Sequence, residues 1–183
     1  SVSDNEGNVW VTGYAMGFDT LDQDVMLYKL NGNNGDSIQY RRIDCGFEDK
    51  GVYHDTASNH NIILATQSYS NAADSNISRI WRFDYNMDTL WTWTPVTDSA
   101  DFLINCLFED TYKRIVYSGD MKPDTGQVYR LWYGFLSPGG TLVWELIQPP
   151  FYLKNIRRGI IDPINNYYFT GGIFPYYFGF GNS

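Results

Sequence analysis

The chain has 183 residues, of which 43% are hydrophobic and 17% aromatic, enough apolar material to bury a core and too much for a disordered segment. Its formal net charge is −8 with only 13 Lys and Arg, which excludes the basic footprint of a nucleic-acid binder and an electrostatic grip on anionic lipid. No apolar run is long enough for a membrane-spanning helix, and two cysteines, Cys45 and Cys106, with no CxxC pair exclude a disulfide scaffold.

In chain order, the first unit opens at Asp4 and reads Asp-Asn-Glu-Gly-Asn-Val-Trp-Val-Thr-Gly to Gly13. An apolar run over Val25–Leu30 follows and ends at Asn31, and a third run lies within Asp36–Arg42. The second unit has a leading run from Gly51 to His54, an Asp55–Thr66 segment, a run at Ile80–Phe83 closed by Asp84, and a run at Asp88–Thr94. The third repeats this as Phe102–Phe108, Asp110–Gly119, Tyr129–Leu136 closed by Ser137, and Gly140–Leu146. The fourth shows Ile156–Ile161 and then Asp162–Gly171.

The leading aspartates Asp4, Asp55, Asp110 and Asp162 stand 51, 55 and 52 residues apart, while Leu30, Phe83 and Leu136 are each 53 apart. A period in this range marks a repeat architecture. The runs are short, rich in Tyr, Trp, Ile and Val, and bounded by Gly, Asp, Asn and Pro, which is strand chemistry. No stretch keeps helical periodicity for three turns. The sequence therefore predicts an all-β chain built from four-stranded antiparallel β-propeller blades of about 50–55 residues. It reads as a single domain over 1–183 with units at about 1–50, 51–97, 98–150 and 151–183. The first unit is expected to lack its leading strand and the last to stop after two, so that two whole blades stand between partial ones and the chain reads as part of a larger propeller.

The string from Asp4 through Gly7-Asn8-Val9-Trp10-Val11-Thr12-Gly13, with Asp24-Val25, Leu27, Lys29-Leu30-Asn31 and Gly35 after it, resembles the bacterial-type β-propeller repeat family. The likeness is specific over residues 4–35 and continues as Ser118-Gly119 and Thr170-Gly171. It implies a propeller in an extracellular or cell-surface protein and no particular activity. Two partial likenesses stand beside it, to the Asp-box of sialidases through Ser3, Asn5, Gly7, Val9 and Trp10, and to sensor-kinase propeller repeats through the Gly7-Asn8-Val9-Trp10 core.

The repeated Asp4, Asp55, Asp110 and Asp162 are expected to cap turns with their carboxylates. Gly13, Gly119 and Gly171 are expected to mark bulges or close backbone approaches. Asp19, Asp22 and Asp24 sit in one acidic loop that can supply part of a calcium site, although the spacing of a dedicated calcium loop is missing. His54 and His60 flank the Asp55 turn without a third zinc ligand. Asn76 begins a glycosylation sequon placed in a polar loop. The aromatic tail, with Phe174, Tyr176, Tyr177, Phe178 and Phe180, reads as an interface.

No residue set demands chemistry, so the sequence predicts no catalytic group, metal or cofactor. It points to a non-enzymatic structural or protein-interaction module, with a protein partner or self-assembly. The alternatives are a carbohydrate-binding propeller, whose candidate residues are Trp91, Trp93, Trp132 and Trp144, and a ligand-sensing propeller of a receptor.

Overall fold

The computed structural model describes residues 1–16, 22–46, 48–70, 75–96, 100–123, 129–148, 154–162 and 166–172. Among these the chain forms strands, one short 3-10 turn at Ser58–His60, and no α-helix. The first sheet contains β1 (Val2–Ser3), β2 (Asn8–Met16), β3 (Gln23–Asn31) and β4 (Ser37–Ile43). The second contains β5 (Glu48–Thr56), β6 (Ile62–Ser70), β7 (Ser75–Phe83) and β8 (Thr89–Trp93). The third contains β9 (Ala100–Glu109), β10 (Ile115–Pro123), β11 (Arg130–Leu136) and β12 (Leu142–Ile147). A hairpin of β13 (Lys154–Ile161) and β14 (Tyr167–Gly172) follows. Each four-stranded sheet is an antiparallel meander in which every strand pairs with its sequence neighbour. The leading strand of the first unit, expected to be missing, is present as the two residues of β1, where Val2 pairs with Trp10.

The sheets pack face to face in chain order, and the two-residue period of a strand explains how. In β6, Ile62 and Leu64 join Trp10, Val25 and Leu27 of the first sheet in one core. Ile63 and Ala65, pointing the other way, join Ile104, Leu107 and Trp132 of the third sheet. The third sheet repeats the device, with Leu107 turned toward the second sheet while Cys106 and Phe108 meet Phe169 and Ile161 of the last hairpin. A strand buried on both faces reads as a continuous apolar run, as Ile62–Ala65 does. The first strands β1, β5, β9 and β13 lie beside one another along one edge of the stack.

Large rings fill the spaces between sheets. Trp132, fully buried, meets Phe102 edge-on at 4.4 Å, Tyr117 at 4.7 Å and Trp93 stacked at 6.2 Å. A buried indole N–H needs an acceptor, and Trp132 Nε1 donates to Glu145 at 3.1 Å. Trp10 Nε1 donates to Asp4 at 3.0 Å.

The strands are joined by one recurring tight turn. Its first residue donates its N–H to the carbonyl four residues on, and its carbonyl accepts the N–H of the residue three on; both hold at Asp4, Asp84, Asp110 and Ser137, while Ala57 keeps the first bond and the second is replaced by Asn61 N–H donating to the Ser58 carbonyl at 3.3 Å. The fourth residue of each, Gly7, His60, Met87, Lys113 and Gly140, has positive φ, as in a type I turn followed by a left-handed residue, and in the Ala57 turn Asn59 is left-handed as well. This register corrects the sequence alignment of the second unit. Its turn begins at Ala57, whereas Asp55 lies inside β5. The turn positions Asp4, Ala57, Asp110 and Asp162 are then 53, 53 and 52 residues apart. Bulges keep the same period: Val52 of β5 and Asn105 of β9 each stand unmatched by a residue of the next strand.

Because Ala57 has no carboxylate, the second turn is held from the next sheet. Glu109, at the end of β9, accepts from Ser58 N at 2.5 Å and from Ser58 Oγ at 2.9 Å. It also pairs with Arg82 of β7 at 3.0 Å, both side chains being more than nine-tenths buried. Arg82 and Trp91 further reach the Pro138 carbonyl in the β11–β12 turn. Removing one partner leaves the other charge buried and alone, so Glu109→Ala is expected to lower unfolding free energy by about 3–5 kcal/mol. Urea denaturation measures this, and a loss below about 1 kcal/mol would contradict the pairing described here.

Candidate interaction surface

The turn aspartates act on their own backbone. Asp4 Oδ1 accepts from Glu6 N and Asn8 N, each at 2.9 Å, and Oδ2 from the Trp10 indole. Burial works to raise the Asp4 carboxyl, but the Trp10, Asn8 and Glu6 donors outweigh it and hold it below the usual carboxylate range. Asp110 Oδ1 accepts from Tyr112 N and Arg114 N, and Oδ2 from Arg114 Nε at 2.7 Å and Tyr167 Oη at 2.8 Å. Asp162 Oδ1 accepts from Asn166 N at 2.8 Å. Asp55 bonds only locally, to Thr56 N at 2.8 Å, and burial raises its carboxyl. The four do not converge on one point; each stays with its own turn or strand.

A Cβ on Gly119 would lie 1.9 Å from the Leu103 carbonyl oxygen, a close backbone approach beside the Asn105 bulge. Gly13, paired with Met26, faces open space, because β1 is too short to reach it, and Gly171 lies in β14. His54 is drawn into the seam between the first two sheets, where its Nε2 meets the Trp10 carbonyl at 2.9 Å, while His60 sits edge-on to Tyr85. Asn76 lies in β7, not in a loop, and its side-chain amide reaches Asp101 at 3.3 Å. Cys45 and Cys106 are unpaired thiols in different cores, and burial pushes Cys106 up to about 11. Asp24 is in β3 and paired with Arg42 at 2.5 Å, Asp22 lies just before that strand, and Asp19 is outside the described residues. Phe174, Tyr176, Tyr177, Phe178 and Phe180 are also outside them.

The four candidate sugar-binding tryptophans separate. Trp132 is buried, and Trp91 and Trp93 pack against the core between the second and third sheets. Gly140 permits this approach, since a Cβ there would lie 2.6 Å from the Trp91 ring. Trp144 is 43% exposed.

Trp144 lines an apolar cleft of about 800 Å³ between the third sheet and β14, together with Tyr133, Phe135, Val143, Tyr167 and Phe169. Its rings touch in sequence: Trp144 meets Tyr133 edge-on and stacks on Phe135, both at 5.6 Å, and Tyr133 reaches Phe169 at 6.0 Å. At one rim, the Arg114 guanidinium lies 4.3 Å over the Phe135 ring and is held by Asp110 and Tyr167. The charged groups at this rim are thus engaged with each other, and the cleft offers aromatic surface. Position-by-position reading of the sequence missed it, because Phe135 and Trp144 become neighbours only through the β11–β12 register. The signal available was the density of rings in Leu131–Phe135 and Val143–Trp144.

No protein-family model matches this chain, and no curated protein matches it. No helix among the described residues is long and apolar enough to cross a membrane.

Two substitutions separate the turn aspartates from Asp55. Asp110→Ala strips a fully buried carboxylate from Arg114, Tyr167 and two amides, and is expected to cost about 3 kcal/mol. Asp55→Asn keeps an acceptor for Thr56 while removing a disfavoured half-buried charge, so its effect is expected within about 0.5 kcal/mol. Equal losses in urea denaturation would return Asp55 to the turn class.

His54 also makes a pH prediction. Desolvation pulls its folded pKa below the unfolded value of about 6.5, so the unfolded chain takes up the proton first as pH falls. The stability tied to neutral His54 is present above about pH 6.5 and lost as pH drops below it. Thermal unfolding of wild type and His54→Gln should diverge over that interval, with the variant less sensitive. Buried Asp49 and half-buried Asp55, raised by desolvation, act in the opposite sense in both proteins and cancel from the comparison.

Proposed function

We propose that this chain is part of a β-propeller serving as a structural or protein-interaction element of an extracellular or cell-surface protein. The observation that carries the reading is the face-to-face stack of four-stranded meanders at a 53-residue period, with their first strands together along one edge. Sheets with the ordinary strand twist, packed with their first strands together, wind around an axis. Propeller repeats of the kind that residues 4–35 resemble have this layout. The third sheet keeps an aromatic cleft that is open among the described residues, and the first keeps the Tyr28–Tyr40 pair on its outer face, with Tyr40 63% exposed. Such surfaces suit a further blade or a protein partner.

Chemistry is not required by any of this. The carboxylates at the Asp4 and Asp110 turns are engaged by backbone amides, and among the described residues the cleft is lined by rings and aliphatic side chains. The carbohydrate reading loses most of its motivation, because three of its four tryptophans are packed between sheets.

The test is the structure of the natural protein in its assembly by electron cryomicroscopy. The expected result is a ring of blades with β1, β5, β9 and β13 innermost and the Trp144 cleft covered by another blade or subunit. A straight stack with the cleft open to solvent would overturn the proposal. A glycan array in parallel is expected to return no ligand, and a hit abolished by Trp144→Ala would transfer the function to sugar binding.

A further inference from the structure

At the seam between the first two sheets, three aspartates from different segments come together. Asp24 begins β3, Asp44 lies in the β4–β5 connection and Asp49 is in β5, and an oxygen from each falls within 4.8 Å of the other two. Asp24 and Asp49 are fully buried, and Asp44 is exposed.

Each carboxylate has one oxygen held by the protein. Asp24 Oδ2 takes Arg42 Nε at 2.7 Å and Nη2 at 2.5 Å. Asp49 Oδ2 takes Cys45 N at 2.6 Å, the Ser68 hydroxyl also bonds the Asp49 carboxylate, and Asp44 Oδ1 takes Gly46 N at 2.7 Å. The second oxygens of the two buried groups, Asp24 Oδ1 and Asp49 Oδ1, are shut off from solvent and receive no hydrogen bond. Burying a carboxylate oxygen without a donor is costly, and two carboxylates that each hold one, gathered with a third, call for positive charge. Among the described residues Arg42 is the one guanidinium bonded to any of the three carboxylates, and it reaches only Asp24 Oδ2; Arg79 acts on Asp49 from farther off, through its charge and its bond to Ser68 Oγ.

We propose that Asp24, Asp44 and Asp49 form a calcium-binding site that clamps β3 of the first sheet to β5 of the second. The donors are all hard carboxylate oxygens, the preference of calcium and magnesium. Oxygens on opposite sides of a calcium ion, each about 2.4 Å away, stand about 4.8 Å apart, so the observed spread fits one shell. Magnesium demands about 2.0–2.1 Å and near-octahedral order, which two strand positions fixed by register and one connection do not supply. Three protein oxygens leave the rest of the shell to water, which places the affinity in the weak range of extracellular calcium modules, about 10⁻⁴–10⁻³ M. The site differs from the acidic loop flagged in the sequence: only Asp24 belongs to both. It does not depend on the propeller reading.

The experiment uses the purified chain, stripped with EDTA and dialysed, titrated with calcium chloride and then magnesium chloride by calorimetry, with thermal unfolding alongside. Saturable calcium binding with a rise in Tm is expected, and a smaller rise with magnesium. Asp44→Asn, at an exposed position, is expected to fold with the wild-type Tm in EDTA and to lose calcium affinity by about tenfold or more. Asp88→Asn, an exposed aspartate elsewhere, should bind as wild type. Absence of saturable binding overturns the site, and the buried oxygens would then be accommodated by a protonated Asp49. Equal losses in Asp44→Asn and Asp88→Asn also overturn it, as the signature of diffuse attraction to an acidic surface.

Discussion

The second sheet has two apolar faces, and the remainder of the architecture depends on that. Ile62 and Leu64 look toward one neighbour and Ile63 and Ala65 toward the other, so the sheet is stable only when covered on both sides. One such sheet obliges the next to be apolar where they meet, and the requirement passes along the chain. The rings follow from it. Twisted sheets leave tapering gaps, and Trp10, Trp93, Tyr117 and Trp132 are large and flat enough to fill them. The same requirement leaves aromatic surface where the described sheets end, at Tyr40 on one side and around Trp144 on the other.

Packing this dense leaves little room for polar groups without partners, and most of the buried ones are answered locally. The turn carboxylates at Asp4 and Asp110 take backbone amides and then reach for the nearest aromatic donor, Trp10 in one case and Tyr167 in the other. Where the second unit has Ala57 instead, the role passes to Glu109 of the following sheet, with Arg82 as counter-charge. The turn stays between the first two strands of the sheet while the residue that satisfies it comes from the next sheet. Against that background the unsatisfied oxygens of Asp24 and Asp49 stand out, and the proposed calcium ion answers them in the way Arg82 answers Glu109.

A rigid stack whose polar groups are occupied by its own turns suits presentation of surfaces more than catalysis. The proposed role as an interaction module follows from what is left after packing: apolar cleft and sheet faces, acidic loops, and a net charge of −8 that keeps such a molecule in solution.

The all-β class and the short antiparallel strand runs were legible in the chain, because they rest on local rules: alternation, β-branched and aromatic propensity, and turn residues that bond their own backbone. The turn roles of Asp4 and Asp110 could be read in the same way. Asp55 could not, since an aspartate two places from the turn looks the same in sequence as one within it, and only the Ala57–Asn61 hydrogen bond separates them. The sugar-binding candidates likewise needed the structure, because whether Trp93 or Trp144 faces a neighbour depends on which sheet covers which face. Glu109 with Ser58, Phe135 with Trp144, and Asp24 with Asp49 are all pairs made by register and stacking. By itself the sequence determined what each segment becomes, since that is governed by neighbours a few bonds away. Which side chains meet was decided by the tertiary structure, since that is governed by the burial of whole sheet faces.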